Sequence, residues 1–361
     1  MVSTICLSRD DPNRLFDYCP SLGVSIAATV LFALITFTHT FLATTHRKPF
    51  CWVLIMGALW ETAGYAIRSY NITSQSSSGI YTAQFLLILL APLWINAFIY
   101  MTMGRMIHFF LPAGEDKIFG VRARKVTKIF VWFDVTAFIV QLAGGLMSSG
   151  NDTPVKTAKM GLNIYTGGVG LQLAFIAVFC AIGFQFQRVL KRQDVQQSRQ
   201  AAMESVGPYN SGYQHQHQLA SDTPDSELSH HDATRCYTTA KPLLLILSLA
   251  LSLIILRNVY RLIEYAMGGV NGNTITRHEW WMYVFDALPM FAALIVLAAY
   301  HPGRILQGAR CDFAAEDKLE KQKKKSTKLA KQAKKDAKKG GKVYMEVKRD
   351  ESPNASAEQL V

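Results

Sequence analysis

The residues of this 361-residue chain that could do chemistry lie inside its apolar stretches. Glu61, Gly64, Tyr65 and Arg68 follow one another at i, i+3, i+4 and i+7, which is one face of an α-helix. Arg257, Arg261 and Glu264 repeat that geometry at i, i+4 and i+7. Asn96, Asp134, Gln141, Gln172 and Asp286 place further polar groups in other apolar stretches. An ionised side chain within a membrane span is costly, so each one is a functional candidate by default. The chemistry on offer is recognition. Carboxylates meet an ammonium, guanidinium groups meet a phosphate or carboxylate, and amides and phenols orient what is bound. The candidate substrate-binding set is therefore Glu61, Tyr65, Arg68, Gln141, Gln172, Arg257, Arg261, Glu264 and Asp286. It would line a polar cavity open to the outer leaflet, holding a cationic or zwitterionic head group while acyl chains stay in lipid.

A structural reading of the same residues stands beside it. Glu61 and Arg257 would form a buried ion pair that sets helix register, and Arg68, Arg261 and Glu264 would snorkel at the rim. Helical rise puts Glu61 near mid-depth and Arg257 roughly 10 Å below the outer surface. A carboxylate at that depth would also allow coupling to a proton gradient by protonation.

The elements that must position these groups are seven long apolar runs. They cover Leu22–Ala43, Cys51–Tyr70, Tyr81–Met103, Lys128–Met147, Leu162–Phe186, Pro242–Glu264 and Trp281–Tyr300. Each is roughly 20 residues, enough to cross a hydrocarbon core of about 30 Å as a helix. Only a helix satisfies its own backbone inside lipid, so the sequence predicts an all-α membrane bundle of seven transmembrane helices. Residues 1–21 would precede it, the bundle would fill 22–303, and 304–361 would form a tail. Gly144-Gly145, Gly167-Gly168 and Gly170 suit close helix approach, and Pro92 and Pro289 are expected to kink their spans. Trp280, Trp281 and Tyr283 suit an outer interfacial belt.

Charge sets the orientation. Arg47, Lys48, Arg105, Lys117, Arg122, Arg124 and Lys125 fall in Thr44–Phe50 and Gly104–Thr127, whereas Asn71–Ile80 carries no Lys or Arg. The positive-inside rule places the N-terminus outside and the C-terminus in the cytosol. Two glycosylation acceptors, Asn71-Ile72-Thr73 and Asn151-Asp152-Thr153, then fall in outer loops. The first 20 residues, with Asp10, Asp11, Pro12 and Asp17, lack the pattern of a cleavable signal. Cys6 and Cys19 share the oxidising side and could pair.

Gln187–Ala240 is polar and rich in Gln, Ser and His, and reads as a disordered cytosolic loop. Its His215, His217, His230 and His231 match no zinc spacing. The tail from Arg304 to Arg349 carries 16 Lys or Arg and too few apolar residues for an embedding helix. Tethered to a membrane, it suits anionic inner-leaflet lipid rather than nucleic acid. It also supplies most of the net charge of +12.

Several function classes are disfavoured. His39, His108, His278 and His301 lie at differing depths and form no catalytic metal site. No G-x-x-x-x-G-K-[ST] loop is present, so an ATP-driven pump is disfavoured too. The chain reads as a non-enzyme without a cofactor. A seven-helix receptor or lipid sensor is the alternative to a translocator. Gly104-Arg105-Met106 ends the third span where a rhodopsin-like receptor has Asp-Arg-Tyr, and the seventh span has no lysine for a retinal.

An ordered set of short motifs runs through all seven spans. It comprises Tyr18-x-Pro20-Ser21, Glu61-x-x-Gly64-Tyr65-x-x-Arg68, Ala91-Pro92 with Tyr100 and Gly104-Arg105, and Asp134 with Gln141-x-x-Gly144. Gly170-Leu171-Gln172, Arg257-x-x-x-Arg261-x-x-Glu264, Glu279-x-x-x-Tyr283-x-x-Asp286 and His301-Pro302-Gly303 complete it. In these the chain resembles the fungal lipid-translocating exporters, the RTA-like family named for resistance to aminocholesterol. The resemblance implies a seven-helix protein of the fungal cell surface. It also implies cargo of the sphingoid-base, sterol-like toxin or porphyrin class, and tolerance of amphiphilic toxins. Glu61, Arg68, Arg257, Arg261, Glu264, Glu279 and Asp286 match the family's polar signature.

Overall fold

A computed structural model describes Cys6, Phe16 and residues 18–74, 78–111, 117–118, 120–148, 154–205, 236–268 and 278–305, with 321–322, 324–327 and 329 beyond them. Seven helices are long and apolar enough to cross a membrane. They are α1 Leu22–Thr45, α2 Trp52–Thr73, α3 Ser78–Phe110, α4 Ala123–Ser148, α5 Val155–Ser205, α6 Cys236–Gly268 and α7 Glu279–Ala299. The expected spans fall on these helices to within a residue. Between α3 and α4, the two-residue strands Lys117–Ile118 and Val121–Arg122 pair antiparallel around Gly120, whose φ of 76° lies in the left-handed region.

Consecutive helices pack side by side, and α7 closes the ring onto α1. The third helix also touches α6, so it occupies the middle of the bundle. Its aromatic and aliphatic side chains, with Phe32, Leu54, Phe179, Leu247 and Met290, form the buried core. Outside, Phe37, Phe41, Trp132 and Leu245 are exposed. In a soluble protein such a surface would be a liability, but against hydrocarbon tails it costs nothing.

Two local features position the polar residues. Within α7, Tyr283–Ala287 winds as a π-helix. Pro289 has no N–H to donate and its ring crowds the carbonyl of Phe285, so the preceding turn widens. The widened turn sends Asp286 into the core, 1% exposed, while α3 carries Pro92 without interruption. Between α4 and α5, a Cβ on Gly144 would stand 2.4 Å from the Tyr165 nitrogen and 2.6 Å from the Gly161 oxygen. Gly161 is as tightly apposed to Gly144, and Gly168 to Gln141, whereas Gly167 and Gly170 face open space. The close approach expected of the glycine pairs thus rests on one residue of each.

Two sequence expectations change, and one pairing that the sequence left open is made. Helix α5 has 51 residues, about 75 Å at the usual rise, so the connector expected to be disordered from Gln187 is helical as far as Ser205. Its Gln, Arg, Lys and Ala are good helix formers, and extending an existing helix needs no new nucleus. His215, His217, His230 and His231 lie outside the described residues. Tyr283 does not join the interfacial belt; it turns inward, while Trp280 and Trp281 stack at 4.1 Å. Cys6 and Cys19 are joined by a disulfide, with Cα atoms 5.2 Å apart. Residues Asp312–Val361 form a separate unit, of which the described positions between 321 and 329 are helical and exposed.

The α4–α5 contact sets a test. Gly144→Ala should lower thermal stability in detergent by about 1–3 kcal/mol, because only backbone atoms face the new methyl. Gly167→Ala should be neutral or stabilising by up to about 1 kcal/mol. Equal shifts in the two variants would contradict the packing.

Candidate functional site

Asp286 is the hub of the polar interior. Arg261, which is buried, donates from Nε to Asp286 Oδ1 at 3.1 Å and from Nη2 to Oδ2. Arg257, one turn away on α6, brings its Nε within 2.7 Å of Oδ1, and its Nη2 donates to the Ile88 carbonyl of α3 at 3.1 Å. The remaining Arg261 nitrogen, Nη1, donates to Glu264 Oε2 at 3.0 Å, and Tyr260 donates to Glu264 Oε1 at 3.1 Å. Two guanidinium groups therefore face two carboxylates, and the charges balance.

Glu61 is left over. It is 1% exposed on α2, and neither carboxylate oxygen has a hydrogen-bond partner among the described residues. Arg257, Arg261 and Asp286 lie within electrostatic reach of it, but the contacts that the two guanidinium groups make go to Asp286, Glu264 and the Ile88 carbonyl. The buried Glu61–Arg257 pair open to sequence reasoning does not form, because Asp286 on the π turn takes Arg257 instead. Tyr65, one turn along α2, is fully buried with its hydroxyl unpartnered and its ring stacked on Phe32 at 5.2 Å. Among the described residues, an acceptor and a hydroxyl thus stand without hydrogen-bond partners on one helix face.

Above them, at the end of the bundle carrying the N-terminal segment, Arg68 makes a second cluster. Its Nη2 donates to Glu279 Oε1 at 2.9 Å and to the Tyr18 hydroxyl at 2.7 Å, and its Nε donates to the Tyr283 hydroxyl at 3.1 Å. The guanidinium also lies 5.0 Å from the centre of the Phe16 ring, a cation–π contact. Glu279 Oε2 accepts from the Ser21 backbone N–H at 2.7 Å. The N-terminal segment is thereby fastened to α2 and α7. Burial raises the pKa of the Tyr18 phenol, and Arg68 works against that. Arg68 does not snorkel at the rim; it is buried at 2% exposure.

Beneath this fastening lies a cavity of about 230 Å³. Its walls include Phe16, Tyr18, Arg68, Gln84, Arg261 and Glu264. Arg261 is common to the cavity wall and the Asp286 cluster. Glu61, Tyr65, Arg257 and Asp286 sit deeper and do not line the cavity. Gln141 and Gln172 lie apart from both: Gln141 Nε2 donates to Gln172 Oε1 at 2.9 Å, an amide link between α4 and α5.

Asn71 is corrected as a glycosylation acceptor. It is fully buried within α2, and its amide nitrogen, the atom a glycan would need, donates to Gln84 Oε1 at 2.8 Å. Asn151 lies outside the described residues. Sequence reasoning placed Asn96 and Asp134 in the interior without joining them. Here Asn96 Nδ2 and the Tyr100 hydroxyl both donate to Asp134 Oδ2, at 3.1 and 3.0 Å. Their i, i+4 spacing on α3 was the available signal. At the opposite end, Cys51 Sγ lies 3.3 Å from His301 Nε2, and the Gly303 N–H donates to His301 Nδ1 at 3.1 Å.

Residues 54–309 match the family described as RTA1 like protein. The chain is 35% identical over 304 residues to "Probable lipid transporter atnI" of Emericella nidulans, covering 84% of this chain and 71% of that one. It is 30% identical to "Protoporphyrin uptake protein 1" of Saccharomyces cerevisiae, over 68% and 66% of the two chains. Against "Sphingoid long-chain base transporter RSB1" of the same species the identity is 22%, over 80% and 73%. No solved structure matches.

The two buried acids give opposite expectations for stability. Asp286→Asn leaves two guanidinium groups short of a counter-charge and should cost about 3–5 kcal/mol. Glu61→Gln removes no hydrogen bond and should leave stability unchanged or raised. Thermal unfolding in detergent separates them; a large loss in Glu61→Gln would mean that Glu61 is already paired.

Proposed function

This chain belongs to the RTA1-like family, and from that premise we propose that it is a membrane translocator of lipids or amphipathic molecules. The cargo class is the sphingoid long-chain base, the sterol-like toxin or the porphyrin, and export of such compounds confers tolerance to amphiphilic toxins. The observation that carries the reading is a cavity walled by Arg68 and Arg261 with the carboxylate of Glu61, without a hydrogen-bond partner among the described residues, buried deeper in the same bundle.

The N-terminus faces outward, so the cavity opens toward the outer leaflet of the plasma membrane, Asn151 is a glycosylation acceptor there, and the Lys-rich tail rests on anionic lipid of the inner leaflet. A cavity of about 230 Å³ is smaller than most pockets for whole ligands. It therefore takes a head group, and the acyl chain stays in lipid. A phosphate or carboxylate on the cargo meets Arg68 or Arg261. A cargo ammonium meets Glu61, because Asp286 is already held by two guanidinium groups. Glu61 is closed off in this conformation, so access needs the Arg68–Glu279 contact to open. No enzymatic step and no nucleotide enters this reading; movement follows the cargo gradient or, through protonation of Glu61, a proton gradient.

The test is release of a labelled sphingoid base from proteoliposomes containing only the purified protein. Wild type should release it faster than protein-free liposomes. Glu61→Gln should slow release by about 10- to 100-fold, the worth of one charge-assisted hydrogen bond, with folding intact. No release by wild type across several amphiphiles, with or without a pH gradient, would replace the translocator by a receptor or lipid sensor.

A further inference from the structure

A second cavity, of about 240 Å³, lies toward the other end of the bundle between α3, α5 and α6. Met103, Phe179, Gly183, Phe184, Leu251 and Ile255 form its walls. The hydroxyls it also meets are already used: Ser248 donates to the Leu244 carbonyl at 2.8 Å and Ser252 to the Ser248 carbonyl at 2.9 Å. No charged side chain lines it among the described residues. Apart from the Gln187 amide at the end nearest the basic turn, such a wall has little to offer a polar molecule and suits hydrocarbon. Phe184 is 55% exposed, so the cavity communicates with the membrane-facing surface.

The helix that forms one wall changes character within a turn. Cys180, Phe184, Gln187 and Lys191 follow at i, i+4, i+7 and i+11 on one face of α5. Beyond Gln187 the helix carries Arg188, Lys191, Arg192 and Arg199, all exposed, against the two acids Asp194 and Glu204. The two zones are physically joined, since the Arg188 guanidinium stands 4.3 Å from the centre of the Phe184 ring. An apolar slot inside the span thus ends at a basic turn that begins at Arg188, about 6 Å beyond Phe184 along the helix, at the depth of the lipid head groups.

We propose that this slot and basic turn together bind one anionic phospholipid of the membrane, an acyl chain lying between α3, α5 and α6 and the phosphate against Arg188, Lys191 and Arg192. The charge complementarity selects an anionic head group, and the dry slot selects a lipid over a soluble anion. This site is separate from the Arg68 cavity, and it differs from the Lys-rich tail, which offers charge without a described slot.

Native mass spectrometry of the full-length protein in detergent tests it, with phosphatidylserine, phosphatidylcholine of the same acyl chains, and chain-free glycerophosphoserine as probes. Wild type should retain phosphatidylserine at least about fivefold better than phosphatidylcholine, the effect of one basic residue near a membrane surface. Arg188→Glu with Arg192→Glu should bring that ratio to about one while phosphatidylcholine adducts persist. Gly183→Leu and, independently, Ser252→Leu fill the slot and should weaken both lipids, and glycerophosphoserine should not compete. The proposal is overturned if the preference survives the charge reversal, which would assign it to the tail. Competition by glycerophosphoserine with no effect of the slot variants would also overturn it, leaving only a surface anion site.

Discussion

Two guanidinium groups share one carboxylate, that of Asp286, in the interior of a bundle that has little water to screen them. Arg257 and Arg261 both address Asp286, and neither could be buried without it. Attraction is strong at low dielectric, and so is the penalty for any group left out. The cluster therefore dictates its surroundings. Helices α6 and α7 must pack with these turns opposed. Helix α3 must present the Ile88 carbonyl, and Glu264 must turn back toward Arg261. With those contacts made, neither guanidinium group donates to Glu61 among the described residues.

The π-helical turn is what lets α7 take part. A regular α-helix through Pro289 would lose a backbone bond and crowd the carbonyl of Phe285. Widening the turn resolves that conflict and changes the rotational phase of the residues before it. Tyr283 and Asp286 both reach the interior from this five-residue segment, one toward Arg68 and the other toward Arg257 and Arg261. A proline in α7 thereby joins the outer fastening to the inner cluster. Transport cycles need elements with two nearby arrangements, and π turns are often found where such changes occur.

Much of this was legible in the sequence because lipid imposes simple rules. Apolar runs of about 20 residues located the helices, and the cost of charge in the bilayer singled out Glu61, Arg257, Arg261 and Asp286. Helical spacing put Glu61, Tyr65 and Arg68 on one face, where they are found. Partner choice was not legible. Pairing Arg257 with Asp286 rather than Glu61 depends on the phase of α7, and an i, i+5 turn cannot be read from a 3.6-residue period. Gln141 and Gln172 looked like cargo contacts for the same reason that they bond each other: two amides in an apolar interior must find a partner. Asn71 carried a correct acceptor motif, yet α2 reaches Thr73 and buries it. A three-residue pattern holds no information about burial.

On the proposed reading, Glu61 is kept without a partner so that a cationic cargo can supply one. Infrared difference spectroscopy of the protein in lipid nanodiscs, recorded on addition of a sphingoid base, reads that carboxyl group directly. Wild type should show a ligand-induced change in its carboxyl bands that is absent in Glu61→Gln. Binding of the base with those bands unmoved, or with the same change in Glu61→Gln, would contradict it.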